Sequence, residues 1–501
     1  MEDPGEISHR FRMKNSWINA ELGWLLDYVQ PTNYIVKSTA YNDKFKTPVL
    51  TPGKTFIKGY TDEVEGIYSN LPTIIFDDFT TASKYVNFPF KVKSSAMKIL
   101  SPASELVNIK FVFYGMQTLR VRSDTHKRYW ISLYSKKKIP LPPLPEQRAI
   151  VAKIEQLLSE LDNGLTNLKQ AKAKLGIYKQ AVLKRAFEGE VTREWRRKQS
   201  QLPTAEDLIN KIEEERLKYY EHQLLEWENS FAKWESTGKK GRKPGKPKKL
   251  KAVQPLTEEE SKKLSSVPSS WLYNFLSHAG VMGRGKSKHR PRNDKNLFGG
   301  KYPFIQTGDV KAQDIITEYS QTYNETGLAQ SKLWPKGTMC ITIAANIAET
   351  GFLGVDACFP DSVVGFTPFT GIINAKYVEY FFRSAKLRIE AYAPATAQKN
   401  INLTTLENLV IPFCSMEEQN QIVQELDSRL SVCEKLVTDI DEDLQRSEAL
   451  RQSILKKAFE GKLLSEQELN SCRKEPDWEP AEKLLERIKN KEKEPKVAEE
   501  V

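Results

Sequence analysis

Residues 139–189 realign onto residues 411–461 without a gap, at a constant offset of 272, with 16 identities over 51 positions. The first copy opens IPLPPLPEQRAIV and closes QAVLKRAFEGEV; the second opens IPFCSMEEQNQIV and closes QSILKKAFEGKL. Whatever this segment folds into must occur twice, and a repeat of this kind governs the architecture around it. The likeness resumes after a four-residue shift, where Ala205-Glu206-Asp207-Leu208-Ile209 stands against Ala481-Glu482-Lys483-Leu484-Leu485.

Each copy carries the spacing of one long helix. In the first, Ile150, Ile154, Leu157, Leu161, Leu165, Leu168, Leu175 and Val182 recur at coiled-coil intervals. In the second, Ile422, Leu426, Leu430, Cys433, Val437, Ile440, Leu444 and Ile454 do the same. Two consecutive steps of four in each seam predict a stutter that locally unwinds the supercoil. Pro140, Pro142, Pro143 and Pro145 keep a helix from starting before Glu146, and Pro412 does similar work in the second copy. Gly189 and Gly461 stand where left-handed C-terminal caps belong. A helix over 146–188 would be roughly 64 Å long and cannot bury its apolar stripe alone. The other copy is the obvious partner, packed antiparallel in a pseudo-two-fold rod. Two independent coiled coils to other proteins are the alternative.

A large, different segment precedes each copy. The expected layout is a mixed unit over 1–138, the first helical repeat over 139–212, and a charged helix with a basic Lys/Gly/Pro linker over 213–267. A second mixed unit over 268–410 and the second repeat with a charged tail over 411–501 complete it. The fold class is α+β: two globular mixed α/β domains separated by two long antiparallel coiled-coil helices. Strand-like stretches occur at Thr73–Phe76, Phe88–Val92, Ile109–Tyr114, Ile341–Ala344, Gly351–Val355 and Val363–Thr367. Helices are expected near Ala205–Trp234 and Ala375–Tyr392, with a solvated linker at 236–255.

An apolar content of 39% supports real cores and excludes a wholly disordered or collagen-like chain. The longest nearly apolar run, Met339–Ala348, is about half of a membrane span, so no membrane partner is expected. The first residues are acidic and lack an apolar core, so no signal peptide is expected. Five scattered cysteines without a CxxC pair fit a reducing cytoplasm better than a disulfide scaffold. The formal charge of +11 is uneven: residues 1–138 carry +7, residues 268–410 carry +4, and Lys239–Lys251 holds eight basic residues and no acid. A polyanion is the natural partner of these parts, with an ordinary solvated surface as the alternative.

The proline-rich entry followed by EQxxIV, the long heptad helix and the LKxAFEG exit resemble the conserved regions of type I restriction-modification specificity (S) subunits. The second mixed unit is similar to a target-recognition domain of that family in Val267-Pro268-Ser269-Ser270-Trp271, in Tyr302–Val310 (YPFIQTGDV) and in Thr396–Leu403 (TAQKNINL). The first matches less well: it has no obvious GD-type strand turn, and Asp124-Thr125-His126-Lys127-Arg128 stands where TAQKN stands in the second. The resemblance implies two recognition domains, each reading one of the unequal halves of a bipartite site in double-stranded DNA. The coil would set the spacing and dock two methyltransferase (M) subunits, with restriction (R) subunits joining them. No cofactor is then expected on this chain. S-adenosylmethionine, ATP and Mg would serve the partner subunits, in the cytoplasm.

The densest candidate DNA contact is the loop Gly283–Lys301, with Arg284, Lys286, Lys288, Arg290, Arg292, Lys295 and Lys301 against Asp294, and His289 among them. Arginine is the commonest reader of guanine, whereas lysine more often meets phosphate. A solvated loop is the alternative. Gln306, Thr307, Gln398, Lys399 and Asn400 lie in the segments similar to the family; their amides and hydroxyl suit adenine edges, or else serve turns and strand ends. In the first unit Lys37, Lys44, Lys46, Lys91, Lys93, Arg120, Arg122, Lys127 and Arg128 are candidates without a ranking.

No catalytic set stands out. Gly280–Ser287 fits GxxxxGK[ST], but Pro291 and its charged neighbours make the helix that a P-loop must open improbable. Asn87-Phe88-Pro89-Phe90 departs from the amino-methyltransferase NPPF box, Pro360-Asp361 lacks a downstream ExK, and the five histidines are dispersed. A P-loop ATPase with a coiled-coil arm, or a coiled-coil adaptor that binds DNA without preference, are the rival classes.

Overall fold

A computed structural model describes residues 16–491, apart from 54, 120–127, 242, 250–251, 254–255, 263, 290, 311–314, 345–346 and 392–400. The chain divides into two compact units, Met1–Gln170 with Asp439–Val501, and Ala171–Thr438. The division falls inside both long helices, so each unit holds one mixed α/β segment and a piece of either helix.

The repeat forms two α-helices of 44 residues, Leu144–Phe187 and Met416–Phe459. The first begins two residues ahead of Glu146, because Pro145 lies in the first turn, where an N–H would have no helical partner anyway. Gly189 and Gly461 follow the helices with φ of 76° and 70°, the left-handed caps that the sequence places there. A Cβ on Gly189 would also stand 2.5 Å from Cγ of Pro268, so this turn admits the second mixed segment only as glycine.

In the first unit, a four-stranded antiparallel sheet runs in the order Leu26–Val29, Met97–Pro102, Thr73–Asp77, Ser83–Val86. A three-stranded sheet, Ile57–Thr61, Thr47–Leu50 and Lys91–Val92, lies beside a second cluster that includes Leu50, Tyr68, Phe90 and Ile99. The larger core joins Ile74, Phe76, Phe111 and Trp130 to Ile150 and Ile154 of the first long helix and to Leu455, Ala458 and Phe459 of the second. Each of the isoleucines, leucines and phenylalanines among them contributes about 1.5–3 kcal/mol by leaving water.

Ile109–Tyr114, expected as a strand, is instead the start of the helix Ile109–Thr118. Asn108 accepts the N–H of Phe111 at 3.2 Å, and Ile109, Val112 and Met116 face the core at helical spacing. The β-branched and aromatic run reads as strand locally, but the cap and the core packing decide.

In the second unit a five-stranded sheet takes the order Gly280–Arg284, Val363–Pro368, Met339–Thr342, Thr350–Leu353, Ile315–Ile316. Phe298–Phe304 pairs with Gln321–Tyr323 over a small core of Leu297, Phe304, Tyr323 and Cys358. The helix Ala375–Ala391 packs Tyr377, Val378, Phe381 and Phe382 into a core that reaches Val182, Phe187, Ile422 and Leu426 of the long helices. The helix Ala205–Ser236 opens with a Thr204/Asp207 capping box and buries Leu208 and Ile212. The linker after it is mostly exposed over its described residues, as expected, and returns along this helix: Trp227 and Trp234 donate to the carbonyls of Pro244 and Gly241.

Within each unit the two helix pieces run antiparallel. In the first, Asp162 meets Arg451 about two turns from Ile154 and Ala458, which share one core. In the second, Lys179 and Glu434 pair at 3.7 Å beside Val182 and Leu430. Burial along the seam is graded: Ile150, Ile154, Val182, Ile422, Leu426 and Leu430 are buried, whereas Leu161, Leu165, Leu168, Leu175, Val437 and Leu444 are only half-buried.

Candidate nucleic-acid interface

Each mixed segment is mounted on the repeat by the same device. Strand Ile18–Glu21 pairs with Lys138–Leu141, placing Ile18 opposite Leu141. Strand Leu272–Phe275 pairs with Val410–Phe413, placing Leu272 opposite Phe413. Leu141 and Phe413 correspond under the offset of the repeat, so one pairing is made twice. A tryptophan precedes each strand. Trp17 Nε1 donates to Glu146 at 2.8 Å, and Trp271 Nε1 donates to Glu418 at 2.9 Å. Both carboxylates are 1% exposed, where an unbonded charge would be costly.

The glutamine that follows holds the helix on the same side. Gln147 donates to Pro142 O at 2.9 Å and accepts from the Asn108 N–H at 3.3 Å. Gln419 donates to Cys414 O at 2.9 Å and accepts from the Asn374 N–H at 2.8 Å. Asn108 and Asn374 begin the helices Ile109–Thr118 and Ala375–Ala391. The EQ of EQxxIV is thus a clamp: Glu takes the tryptophan ahead of the first strand, Gln takes the start of the helix. Trp17 is the counterpart of Trp271, and sequence reasoning missed it because no P-x-x-W pattern precedes it.

The basic loop of the second unit begins at the end of strand Gly280–Arg284 and ends in strand Phe298–Phe304. Arg284 donates from Nε and Nη2 to the Asp361 carbonyl at 2.8 and 2.6 Å, and Arg292 donates to the Asp361 carboxylate at 2.8 Å. One residue therefore gathers two guanidinium groups. The Gln330 carboxamide oxygen accepts the N–H groups of Lys288 and His289 at 2.6 and 3.1 Å, and Ser331 Oγ donates to Lys286 O at 2.8 Å. His289 meets Asp294 at 2.8 Å; the Asn296 N–H, then His289, hold the Asp294 carboxyl below the usual range. Lys301 pairs with Glu325 at 3.4 Å, and Tyr302, then Glu325, raise its pKa. Lys286, Lys288 and Lys295 are exposed and have no carboxylate partner among the described residues.

Behind the loop the Lys332 ammonium lies 3.4 Å from the centroid of Trp334; burial, then Lys286, lowers its pKa. The roles of Gln330 and Asp361 leave no mark in the sequence, since each lies more than 30 residues from the loop groups it bonds. The loop contains no helix over the described part of 285–294, so the GxxxxGKS segment is a strand end followed by irregular backbone.

Gln306 bonds Gln321 at 2.8 Å from its side chain and Asp309 at 2.8 Å from its N–H, and Thr307 is half-exposed in the same turn. In the first unit Lys44, Lys46, Lys37, Lys93 and Arg128 are exposed. Lys91 is 1% exposed, bonded to the Glu65 carbonyl at 2.5 Å and paired with Glu63 at 3.1 Å, so it braces the fold and cannot meet a ligand. Arg120, Arg122, Lys127, Arg290, Gln398, Lys399 and Asn400 lie outside the described residues. His278 is buried against Asn274 at 2.6 Å, and burial, then Arg216, pulls its pKa down to about 4, so it stays neutral at pH 7. All five cysteines are free and buried. Among the described residues no helix is long and apolar enough to cross a membrane, and no His/Cys/Asp/Glu group could hold a metal ion.

The profile of the type I restriction modification DNA specificity domain matches residues 16–170 and 281–446, more than half of the chain. The chain belongs to this family. The first match holds its mixed segment, the Trp17–Glu146 clamp and most of the first long helix; the second begins after Trp271 and Leu272–Phe275 but holds Glu418, Gln419 and most of the second long helix. The EcoR124I/EcoR124II specificity subunit of Escherichia coli is 46% identical over 188 residues, which cover 35% of this chain and 46% of that subunit. The EcoBI specificity subunit of Escherichia coli is 22% identical over 357 residues, 70% of this chain and 64% of that one. The chain thus spans less than two thirds of the length of these relatives. The HsdS subunit from Thermoanaerobacter tengcongensis superposes with a TM-score of 0.54 at 16% identity, over 91% of this chain and 99% of that one. A chain from a structure of the complex assembly and conformational transition of the type I R-M system gives 0.57 at 16% identity, over 90% and 100%. These two likenesses establish the fold.

Proposed function

We propose that the chain is the DNA sequence-specificity subunit of a type I restriction-modification complex, non-catalytic by itself and working in the cytoplasm. The observation that carries this reading is the duplicated clamp: one frame, built on Trp17–Glu146 and again on Trp271–Glu418, presents two different mixed segments. Equal frames with unequal faces suit a bipartite site with unequal halves. In the second face, Arg284 and Arg292 are the candidates for guanine edges. Lys286, Lys288, His289, Arg290, Lys295 and Lys301 serve phosphates, while Gln306, Thr307, Gln398, Lys399 and Asn400 supply further polar contacts. Lys44, Lys46, Arg120, Arg122, Lys127 and Arg128 take that part in the first. The half-buried middle of the coil docks two methyltransferase subunits, and restriction subunits join through them. S-adenosylmethionine, ATP and Mg belong to those partners.

The test is single-molecule sequencing of genomic DNA from cells that express the chain with its methyltransferase subunit. A new bipartite motif around N6-methyladenine, with unequal halves and a fixed gap, is expected. No new methylation from a verified, assembled complex would overturn the reading.

A further inference from the structure

The basic linker is not a free tether. Gly238 and Lys239, with φ of 74° and 61°, turn the chain back after the helix Ala205–Ser236, and Gly241 follows with φ of 85°. Trp227, Phe231 and Trp234 lie on one face of that helix, their rings 5.4 and 5.7 Å apart. The returning strap lays one lysine over each ring: Lys239 over Trp234 at 5.9 Å, Lys243 over Phe231 at 5.4 Å, Lys246 over Trp227 at 5.4 Å. Both indoles donate to the strap backbone, Trp227 to Pro244 at 3.1 Å and Trp234 to Gly241 at 3.3 Å. Pro244 and Pro247 keep the strap extended.

The first half of this helix is anchored in the second unit by Leu208, Ile212 and the Tyr219–Phe369 ring pair. From Tyr220 to Ser236 its side chains are mostly exposed, over about 25 Å at 1.5 Å per residue. The strap cations face solvent, and Lys239, Lys243 and Lys246 have no carboxylate partner among the described residues. The nearby helix carboxylate Glu226 is engaged by His222 and Gln223 instead. A cation held over a ring keeps its full charge and its donors, and ordering it in advance lowers the entropy cost of meeting a second anion.

We propose that the helix end 220–236 and the strap lysines Lys239, Lys243 and Lys246 form an aromatic-backed basic arm that grips the phosphates of duplex DNA without regard to sequence. The proposal deepens the functional reading above and rests on it. Three cations ordered at fixed places along an extended strap fit a regular row of phosphates better than they fit a folded acidic protein surface.

The experiment uses the full chain assembled with its methyltransferase subunits, a 40-base-pair duplex of random sequence, and a series of salt concentrations. The variant K239Q/K243Q/K246Q removes the three ring-held charges, and K239R/K243R/K246R keeps them. Every phosphate that is no longer neutralised reduces the magnitude of the negative slope of log K against log salt by about 0.9, so the glutamine variant should show a slope shallower by about 2 to 3. The arginine variant should keep it, and the ratio of specific to random affinity should stay constant in both. An unchanged slope in the glutamine variant overturns the arm. So does an unchanged slope on DNA together with abolished binding to an RNA duplex of equal length. Preserved random binding with no preference for any duplex in the wild-type complex overturns the specificity reading while leaving the arm standing.

Discussion

The two clamps differ in what faces the second oxygen of the buried glutamate. Glu418 receives the Trp271 indole, the Thr192 hydroxyl at 2.7 Å and the Arg196 guanidinium, which also lies 5.7 Å from the Trp271 ring. Glu146 receives the Trp17 indole on Oε2, while its Oε1 has no hydrogen-bond partner among the described residues. The duplication has kept the tryptophan, the strand pairing and the glutamine, and has let the surroundings of the charge diverge. The glutamate and glutamine are copied with the repeat, whereas Trp271 and the Arg196 cation that completes the second clamp lie 147 and 222 residues from Glu418. The second clamp is therefore an ion-paired network and the first a hydrogen-bonded one, and the two should fail differently.

Removing the carboxylates gives the largest expected contrast. Glu418→Ala strands a mostly buried Arg196 and should cost about 3–5 kcal/mol, whereas Glu146→Ala loses a single indole bond and should cost about 1–3 kcal/mol. Amide exchange in Leu272–Phe275 for the one variant and in Ile18–Glu21 for the other reads the two effects separately. Equal costs would mean that Arg196 adds nothing to the second clamp.

The seam gives the second contrast, between helix ends buried by the mixed segments and the half-exposed middle. Ile154→Ala, at a site with 0% exposure, should cost about 2–4 kcal/mol, and Leu165→Ala about 1 kcal/mol. Chemical denaturation of the two variants, followed by circular dichroism, checks the order. A larger cost at Leu165 would mean that the middle of the coil already has a partner.

What the sequence reveals here is what repeats or what acts locally. The long helices follow from apolar spacing and their ends from Gly189 and Gly461. Partners distant in sequence leave no such mark. Trp17 and Glu146 are 129 residues apart, and Trp271 and Glu418 are 147 apart, so neither pair has a spacing to recognise. Charge alone misplaced Lys91, because a lysine whose ammonium is met by Glu63 and a carbonyl belongs to the interior, whatever the net charge of its segment. Hydrophobicity alone misplaced Ile109–Tyr114, where the capping asparagine outweighs strand propensity. The basic loop was legible as charge; its organisation by Asp361, Gln330 and Ser331 was not.

If equal frames carry independent readers, one reader can be exchanged without disturbing the other. Residues 268–410 would be replaced by the corresponding segment of another family member, leaving Glu418, Gln419 and both long helices intact. The methylated motif would then be read by single-molecule sequencing. One half of the motif should change while the other half and the gap are retained. A change in both halves, or in the gap, would contradict that independence.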